Sequence, residues 1–403
     1  MNIEKRYSFF LGNVLCSYSF IDMIYGAAYI ILMNQNHLNA FEISTVMAIS
    51  SISLAIFDYP SGNLADIFGR KKITSIGFII WGVGLIGFAL SKNVISFSLF
   101  TLISSAGIAL ISGSPQAWYI DKLKEINKDS YKNRVVPILN GIISIFAAAG
   151  AMLASISNLF NVSLAIIIAG LTAIIVALVV SAFFSDNYGE RLEHYFVKEI
   201  VTSTKNFFKD GTMIHLLGYY LIDSMPLTAF LLVWQLYAIN VIKIKNEWIG
   251  IMLVIFMLVQ ALASFFSGIV VKKISNFNLT IYGEILSAIS LFLIFTAKSN
   301  ILLYFFLILV FEFGLQLIQT NKSVWMQDLI KSEKRSTYTS AITAINSGVG
   351  FVLTLIFGML IEQLGYKVIW LLAGISQFIA LLYILIFIKK ILIKKVDNQN
   401  VRY

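Results

Sequence analysis

Gly62-Asn-Leu-Ala-Asp66-Ile-Phe-Gly69-Arg70-Lys71-Lys72 is the stretch on which the reading of this chain turns. Its two glycines permit a tight turn and a close approach of neighbouring helices, and Asp66 and Arg70 supply opposite charges a few residues apart. Apolar runs lie on either side, at 42–62 and 73–91. Crossing a hydrocarbon core of about 30 Å takes about 20 helical residues, so a short charged turn here joins two membrane-length segments. The alternation continues in both directions. Apolar runs fall at about 7–34, 42–62, 73–91, 94–118, 135–157, 162–184, 213–239, 248–271, 279–297, 300–325, 338–361 and 368–388, twelve in all. Strands of a barrel would show ~10-residue alternation instead, and none is present. The expected fold class is an all-α membrane protein with twelve transmembrane helices.

Composition agrees. Of 403 residues, 58% are hydrophobic and only 13% charged, about half the charged share of a soluble domain. That excludes a soluble enzyme, a nucleic-acid-binding protein and a disordered chain, none of which survives on so little polar surface. The single cysteine, Cys16, permits no internal disulfide. The first apolar run follows a short polar start and shows no small-residue cleavage site, so it is expected to be a retained helix.

The net charge of +9 reads as topology. With the N-terminus inside, 24 Lys and Arg fall in inner segments, among them Arg70, Lys71, Lys72, Lys122, Lys124 and Lys128, and five in outer loops, Lys92, Lys243, Lys245, Lys298 and Lys367. Such asymmetry is the positive-inside pattern, and it places both termini in the cytoplasm. The one long polar stretch, 185–212, mixes both charges with Tyr195, Phe196, Phe207 and Phe208, and is expected to be a cytoplasmic linker with amphipathic helices. It separates an N-terminal bundle at 1–184 from a C-terminal bundle at 213–403. The two halves repeat each other: Tyr18-Ser-Phe-Ile-Asp22 matches Tyr219-Tyr-Leu-Ile-Asp223 at an offset of 201, and Trp118-Tyr-Ile-Asp121 matches Trp325-Met-Gln-Asp328 at 207. A repeat in one orientation requires an even number of spans per half, hence two pseudo-symmetric bundles of six, with a site at their interface.

With the spacing of its charged turn, the chain resembles the major facilitator superfamily, whose signature loop falls at this place. The likeness extends to Asp58-Tyr-Pro60-Ser-Gly62, which is similar to the acidic lead-in of many bacterial drug-efflux-like members, and to Ser112-Gly-Ser-Pro-Gln-Ala-Trp118-Tyr-Ile-Asp121 at the end of span four. It implies the fold of that superfamily and a conformational latch carried by Gly62, Asp66, Gly69, Arg70 and Asp121. A charge trio at a moving interface is a bistable element, which suits a latch. In the second half Lys272 stands where Asp66 would, while Asp328 is kept, so Lys272 or Lys273 is expected to pair with Asp328 in a weaker counterpart.

Function is sought in the few acids inside the membrane. Asp22, Asp223 and Glu312 lie roughly 10 to 13 residues into spans one, seven and ten, about 15–20 Å deep at ~1.5 Å per residue. A charge at that depth costs several kcal/mol and marks an ion or substrate pathway, or else a protonated acid hydrogen-bonded between helices. The neutral form of a carboxyl gains in such surroundings, which lets it load and release protons. Asp22 and Asp223 occupy equivalent places in the repeat and are expected to face each other across a central cavity, with Glu312 a third candidate. Tyr25, Tyr29, Trp234, Gln235, Gln316, Gln319 and Asn346 are the candidate lining, able to stack on or hydrogen-bond a lipophilic cation. Asp58 and Glu284, nearer the inner edge, divide between interhelical pairing and coupling. Lys322 either snorkels or pairs with Glu284 or Asp328. No midplane cation is expected to balance the three acids, so the cavity should attract cations.

The three histidines have no metal spacing and no phosphate-cradling Gly-Lys-Ser/Thr loop is present, so neither catalysis, nor a metal, nor any other cofactor is expected. The chain is expected to be a secondary transporter of the bacterial cytoplasmic membrane, a monomer whose partners are a small-molecule substrate, protons and the lipid bilayer. Proton-coupled efflux of a lipophilic or cationic compound is the leading expectation. Uptake of a sugar, peptide or other nutrient is the alternative, and a non-transporting sensor or scaffold on the same fold is an alternative of another class.

Overall fold

The computed structural model describes residues 2–112, 114–128, 131–183, 185–186, 207–296, 300–330 and 335–393. Their side chains are described except at 59–60, 62–63, 66, 132–134, 136–138, 140, 327–328, 335–337 and 339–340. Helices α1 (Ile3–Gly26), α2 (Tyr29–Gln35), α3 (Ala40–Phe68), α4 (Arg70–Leu90), α5 (Val94–Ile111), α6 (Ser114–Glu125), α7 (Lys132–Asn158) and α8 (Val162–Phe183) come first. They are followed by α9 (Gly211–Asn240), α10 (Glu247–Val270), α11 (Asn276–Thr296), α12 (Ile301–Leu329), α13 (Arg335–Leu364) and α14 (Tyr366–Tyr383), which runs on into a π-helical turn at Ile384–Ile388. Among the described residues 12 helical segments are long and apolar enough to cross a membrane, α1 with α2 and α5 with α6 each forming one of them.

The ends of these helices follow from local chemistry. Asn39 caps α3 through a box in which its Oδ1 accepts from the Glu42 N–H at 2.8 Å and Glu42 Oε2 accepts from the Asn39 N–H at 2.9 Å. Asn93 and Ser96 form the same device at the start of α5. Between α3 and α4 the chain reverses at one residue, Gly69, whose φ of 100° lies where side chains are strained.

Two units are distinguished. One comprises Met1–Leu192 with Lys243–Ile255, the other Glu193–Ile242 with Phe256–Tyr403. In the first, α4 packs on α5 and α8, and α1 on α7; in the second, α11 packs on α12, and α14 on α9 and α11. The sequence repeat is visible in this packing. A Cβ on Gly77 of α4 would meet the Gly107 carbonyl of α5 at 2.9 Å, and a Cβ on Gly283 of α11 would meet the Gly314 carbonyl of α12 at 2.7 Å. Both pairs let two backbones touch, the small-residue contact that joins helices when lipid removes the hydrophobic drive between them. The second unit also holds an aromatic core, in which Phe230 stacks on Trp234 and approaches Phe311 at 4.9 Å, with Phe256, Tyr237, Tyr304 and Trp370 around them.

Candidate functional site

In the first unit the site is built on one stripe of α1. Tyr18, Asp22 and Tyr25 recur at helical spacing, and Tyr29 continues the stripe as α2 begins. Tyr25 and Tyr29 stack with centroids 5.0 Å apart, Tyr18 lies 4.9 Å from Trp81 of α4, and Phe88 meets the edge of Tyr25 at 5.3 Å. Tyr29 also donates to Met47 Sδ at 3.9 Å. Asp22 is half-buried, within electrostatic reach of all three tyrosines, and no described residue hydrogen-bonds or pairs with it. A lone carboxylate among aromatic faces is suited to a cation or a hydrogen-bond donor from outside the chain.

The second unit treats its equivalent acid differently. Asp223 of α9 forms a buried ion pair with Lys322 of α12. The expectation that no cation balances the midplane acids is thereby corrected, as is the alternative that Lys322 pairs with Glu284; the alternative pairing with Asp328 falls on a side chain outside the described residues. Asp223 stands 12 residues into α9, about 18 Å at 1.5 Å per residue, while Lys322 lies 7 residues before the end of α12; its long stem covers the remaining depth. Lys322 Nζ also sits 4.7 Å over the Tyr220 ring.

Pro226 shapes the helix that carries Asp223. Lacking an N–H, it leaves the Ile222 carbonyl without its helical donor, and Ser376 Oγ of α14 donates to that carbonyl at 2.9 Å. The next residue of α14 is Gln377, whose Nε2 donates to Asp223 Oδ1 at 3.5 Å and to Glu284 Oε2 of α11. Tyr219 donates its hydroxyl to Glu284 Oε1 at 2.5 Å. Glu284 is thus buried among four helices, bonded to Tyr219 and Gln377 rather than to Lys322.

The other sequence candidates are spread through this unit. Glu312 is buried and accepts from Gln260 Nε2 of α10 at 2.7 Å. Gln316 donates to Ser264 Oγ at 2.9 Å and to Thr320 Oγ1 at 3.0 Å, and Asn346 Oδ1 accepts from Ser224 Oγ at 2.6 Å. Trp234 and Gln235 are both buried, Trp234 in the aromatic core with its carbonyl accepting from Tyr304 Oη at 2.9 Å, and Gln319 is half-buried. Tyr219, Gln260 and Gln377 were not singled out from the sequence as site residues. A lone amide in an apolar run is the only signal Gln260 and Gln377 carry.

At the signature turn, Arg70 and Asp121 meet in an ion pair, with Lys124 Nζ 4.0 Å from the same carboxylate. The side chains of Asp66 and Asp328 lie outside the described residues, Gly62 is described only by its helical backbone, and Asp58 is exposed. Asp186 joins this end of the unit unannounced by the sequence. Its Oδ1 accepts from the Lys71 N–H at 3.0 Å, occupying the N-terminus of α4, and its carboxylate fills the space a Cβ on Gly69 would need. Beside it, the Trp118 indole donates to the Ser185 carbonyl at 2.8 Å.

The family profile described as Major Facilitator Superfamily matches residues 10–245 and 219–400, most of the chain. The protein belongs to the major facilitator superfamily. It is accordingly a multi-pass membrane transporter and not an enzyme, with small molecules as substrates. Among curated members, an uncharacterised MFS-type transporter of Methanocaldococcus jannaschii is 33% identical over 75 residues, a match that spans 19% of each chain. Solved members share the fold at low identity. A variant of the nucleoside transporter NupG superposes with a TM-score of 0.81 at 13% identity, covering 96% of this chain and 100% of that one. A bacterial homologue of the human lysosomal transporter Spinster gives 0.75 at 13% identity, over 95% and 96%. A D-xylose-proton symporter gives 0.73 at 13%, over 94% and 98%.

Proposed function

We propose that this superfamily member is a proton-coupled transporter of the cytoplasmic membrane that works by alternating access and exports a lipophilic or cationic small molecule. The observation that carries the reading is Asp22, an acid on an aromatic stripe with no partner among the described residues. One carboxylate offers one place, and a proton and a cationic substrate compete for it. Binding of either displaces the other, which is the exchange that an antiporter requires. Tyr18, Tyr25 and Tyr29 supply flat faces for the apolar part of the substrate. Asp223, neutralised by Lys322, contributes no comparable attraction. The Arg70–Asp121 pair, with Asp66, serves as the latch whose breaking accompanies the change of state.

Cells with and without the gene, loaded with ethidium, test this reading. Export lowers the retained dye in cells that carry the gene, a proton uncoupler abolishes the difference, and Asp22→Asn does the same at unchanged expression. Equal retention in both cells overturns export, and wild-type export by Asp22→Asn overturns the proposed site. Nutrient uptake is the second reading, and the shared fold of a nucleoside transporter and a D-xylose-proton symporter supports it. It predicts the opposite sign, accumulation of a labelled sugar or nucleoside that the uncoupler removes.

A further inference from the structure

Five side chains from four helices form a closed polar cluster in the second unit: Tyr219 and Asp223 from α9, Glu284 from α11, Lys322 from α12 and Gln377 from α14. All are almost completely buried, with Lys322, at 4%, the most exposed of the five. Counting charge, two carboxylates and one ammonium leave an excess of one negative charge when all are ionised. An unbalanced charge in so apolar a setting is costly, and one retained proton removes it.

The hydrogen bonds show which acid that is. Asp223 holds the ammonium of Lys322 directly. Glu284 has only neutral partners, the Tyr219 hydroxyl and the Gln377 amide. The remaining atom of that amide, Gln377 Oε1, is buried with no hydrogen-bond partner among the described residues. An acceptor without a donor, beside a carboxyl group, is what a second orientation of the amide uses. With Glu284 ionised, Gln377 Nε2 donates to it and reaches Asp223 at 3.5 Å. With Glu284 protonated, a half-turn of the amide lets Oε1 accept the new O–H and withdraws the N–H from Asp223.

We propose that Glu284 is the residue of this cluster that takes up and releases a proton, and that the Gln377 amide reports its state to the Asp223–Lys322 pair. The step is a simple ionisation: the Glu284 O–H breaks, the electron pair stays on Oε2, and the proton passes to water as hydronium. The groups that face Glu284 are Tyr219 and Asp223 from α9, Lys322 from α12 and the uncharged Gln377 from α14. The proposal rests on the proton-coupled reading above, yet its test requires no substrate.

The experiment is an infrared difference titration of the purified full-length protein in detergent, following the carbonyl band of protonated carboxyl groups as pH rises. The wild type loses such bands as its buried acids ionise. E284Q lacks one of them, D22N and E312Q keep that one, and the neutral double variant D223N/K322Q keeps it too. Gln377→Ala leaves the band in place but shifts its frequency, since the acceptor of the O–H has gone. If E284Q is not recovered folded, Glu284→Asp serves instead, with the same band displaced in frequency and midpoint. A wild-type band set retained in full by E284Q, or unmoved by Glu284→Asp, overturns the assignment to Glu284; loss of the band in D223N/K322Q transfers it to Asp223. Either result leaves the uncoupler experiment on ethidium export untouched, so the two proposals fail separately.

Discussion

At Asp223 the consequence of a substitution depends on which charge is left behind. Removing the acid alone takes from the Lys322 ammonium, at 4% exposure, its direct partner and leaves only the more distant Glu284 to balance it; breaking a buried pair costs up to about 3–5 kcal/mol. Removing both charges leaves nothing stranded. Asp223→Asn should therefore lower the thermal unfolding midpoint in detergent by more than the double variant Asp223→Asn/Lys322→Gln does. A double-mutant cycle measures the difference, and additive effects would show that the pair carries no coupling. Asp22 behaves in the opposite way. With no described partner, Asp22→Asn should be neutral to stability, within about 0.5 kcal/mol, while it removes transport. The sequence shows two acids at equivalent places in a repeat, and it cannot show this difference, because the partner of Asp223 lies 99 residues away on another helix.

Between elements, several of the close contacts are glycine against backbone. On α5, a Cβ at Gly107 would lie 2.7 Å from the Gly77 carbonyl and 2.8 Å from Trp81 Cα, and neither is a flexible side-chain end that can move aside. Gly107→Ala should therefore push α4 and α5 apart and destabilise the protein by about 1–3 kcal/mol, the usual cost of overpacking, read as a lower unfolding midpoint. Gly348→Ala, where a Cβ meets nothing within 4 Å, is the control. The end of α4 offers a second test. Asp186 accepts from the Lys71 N–H as an N-cap supplied from beyond α8, and caps of this kind contribute about 0.5–2 kcal/mol. Asp186→Ala should lower stability by that amount, and Asp186→Asn, which keeps the acceptor, by less. Capping signals inside a segment, such as Asn39 with Glu42, are legible because donor and acceptor lie three residues apart. The Asp186 cap joins residues 115 apart, beyond any local pattern.

Over the whole molecule, the asymmetry of Lys and Arg predicts which ends face the cytoplasm. With Cys16 replaced by Ser, a single cysteine at Lys245→Cys should react with an impermeant maleimide added to intact cells, and Lys124→Cys only after permeabilisation. The reverse pattern would invert the topology. Most of the fold was legible at this scale. The apolar runs that mark the spans lie close to the 12 helical segments, from Gly211–Asn240 against an expected 213–239 to Glu247–Val270 against 248–271. A membrane helix satisfies its backbone within itself, so its existence and length are written in about 20 consecutive residues.

What the sequence determined by itself is therefore the list of spans, their repeat in two halves, the charged turn at Gly69 and the set of acids within the membrane. What tertiary structure decided is the meaning of those acids. Burial, pairing and hydrogen bonding depend on helices distant in the chain, and they gave Asp223 to Lys322, placed Glu284 between Tyr219 and Gln377, and left Asp22 without a partner among the described residues. A side chain's type and depth can be counted along one helix, whereas its charge state and its task follow from the neighbours that packing brings to it.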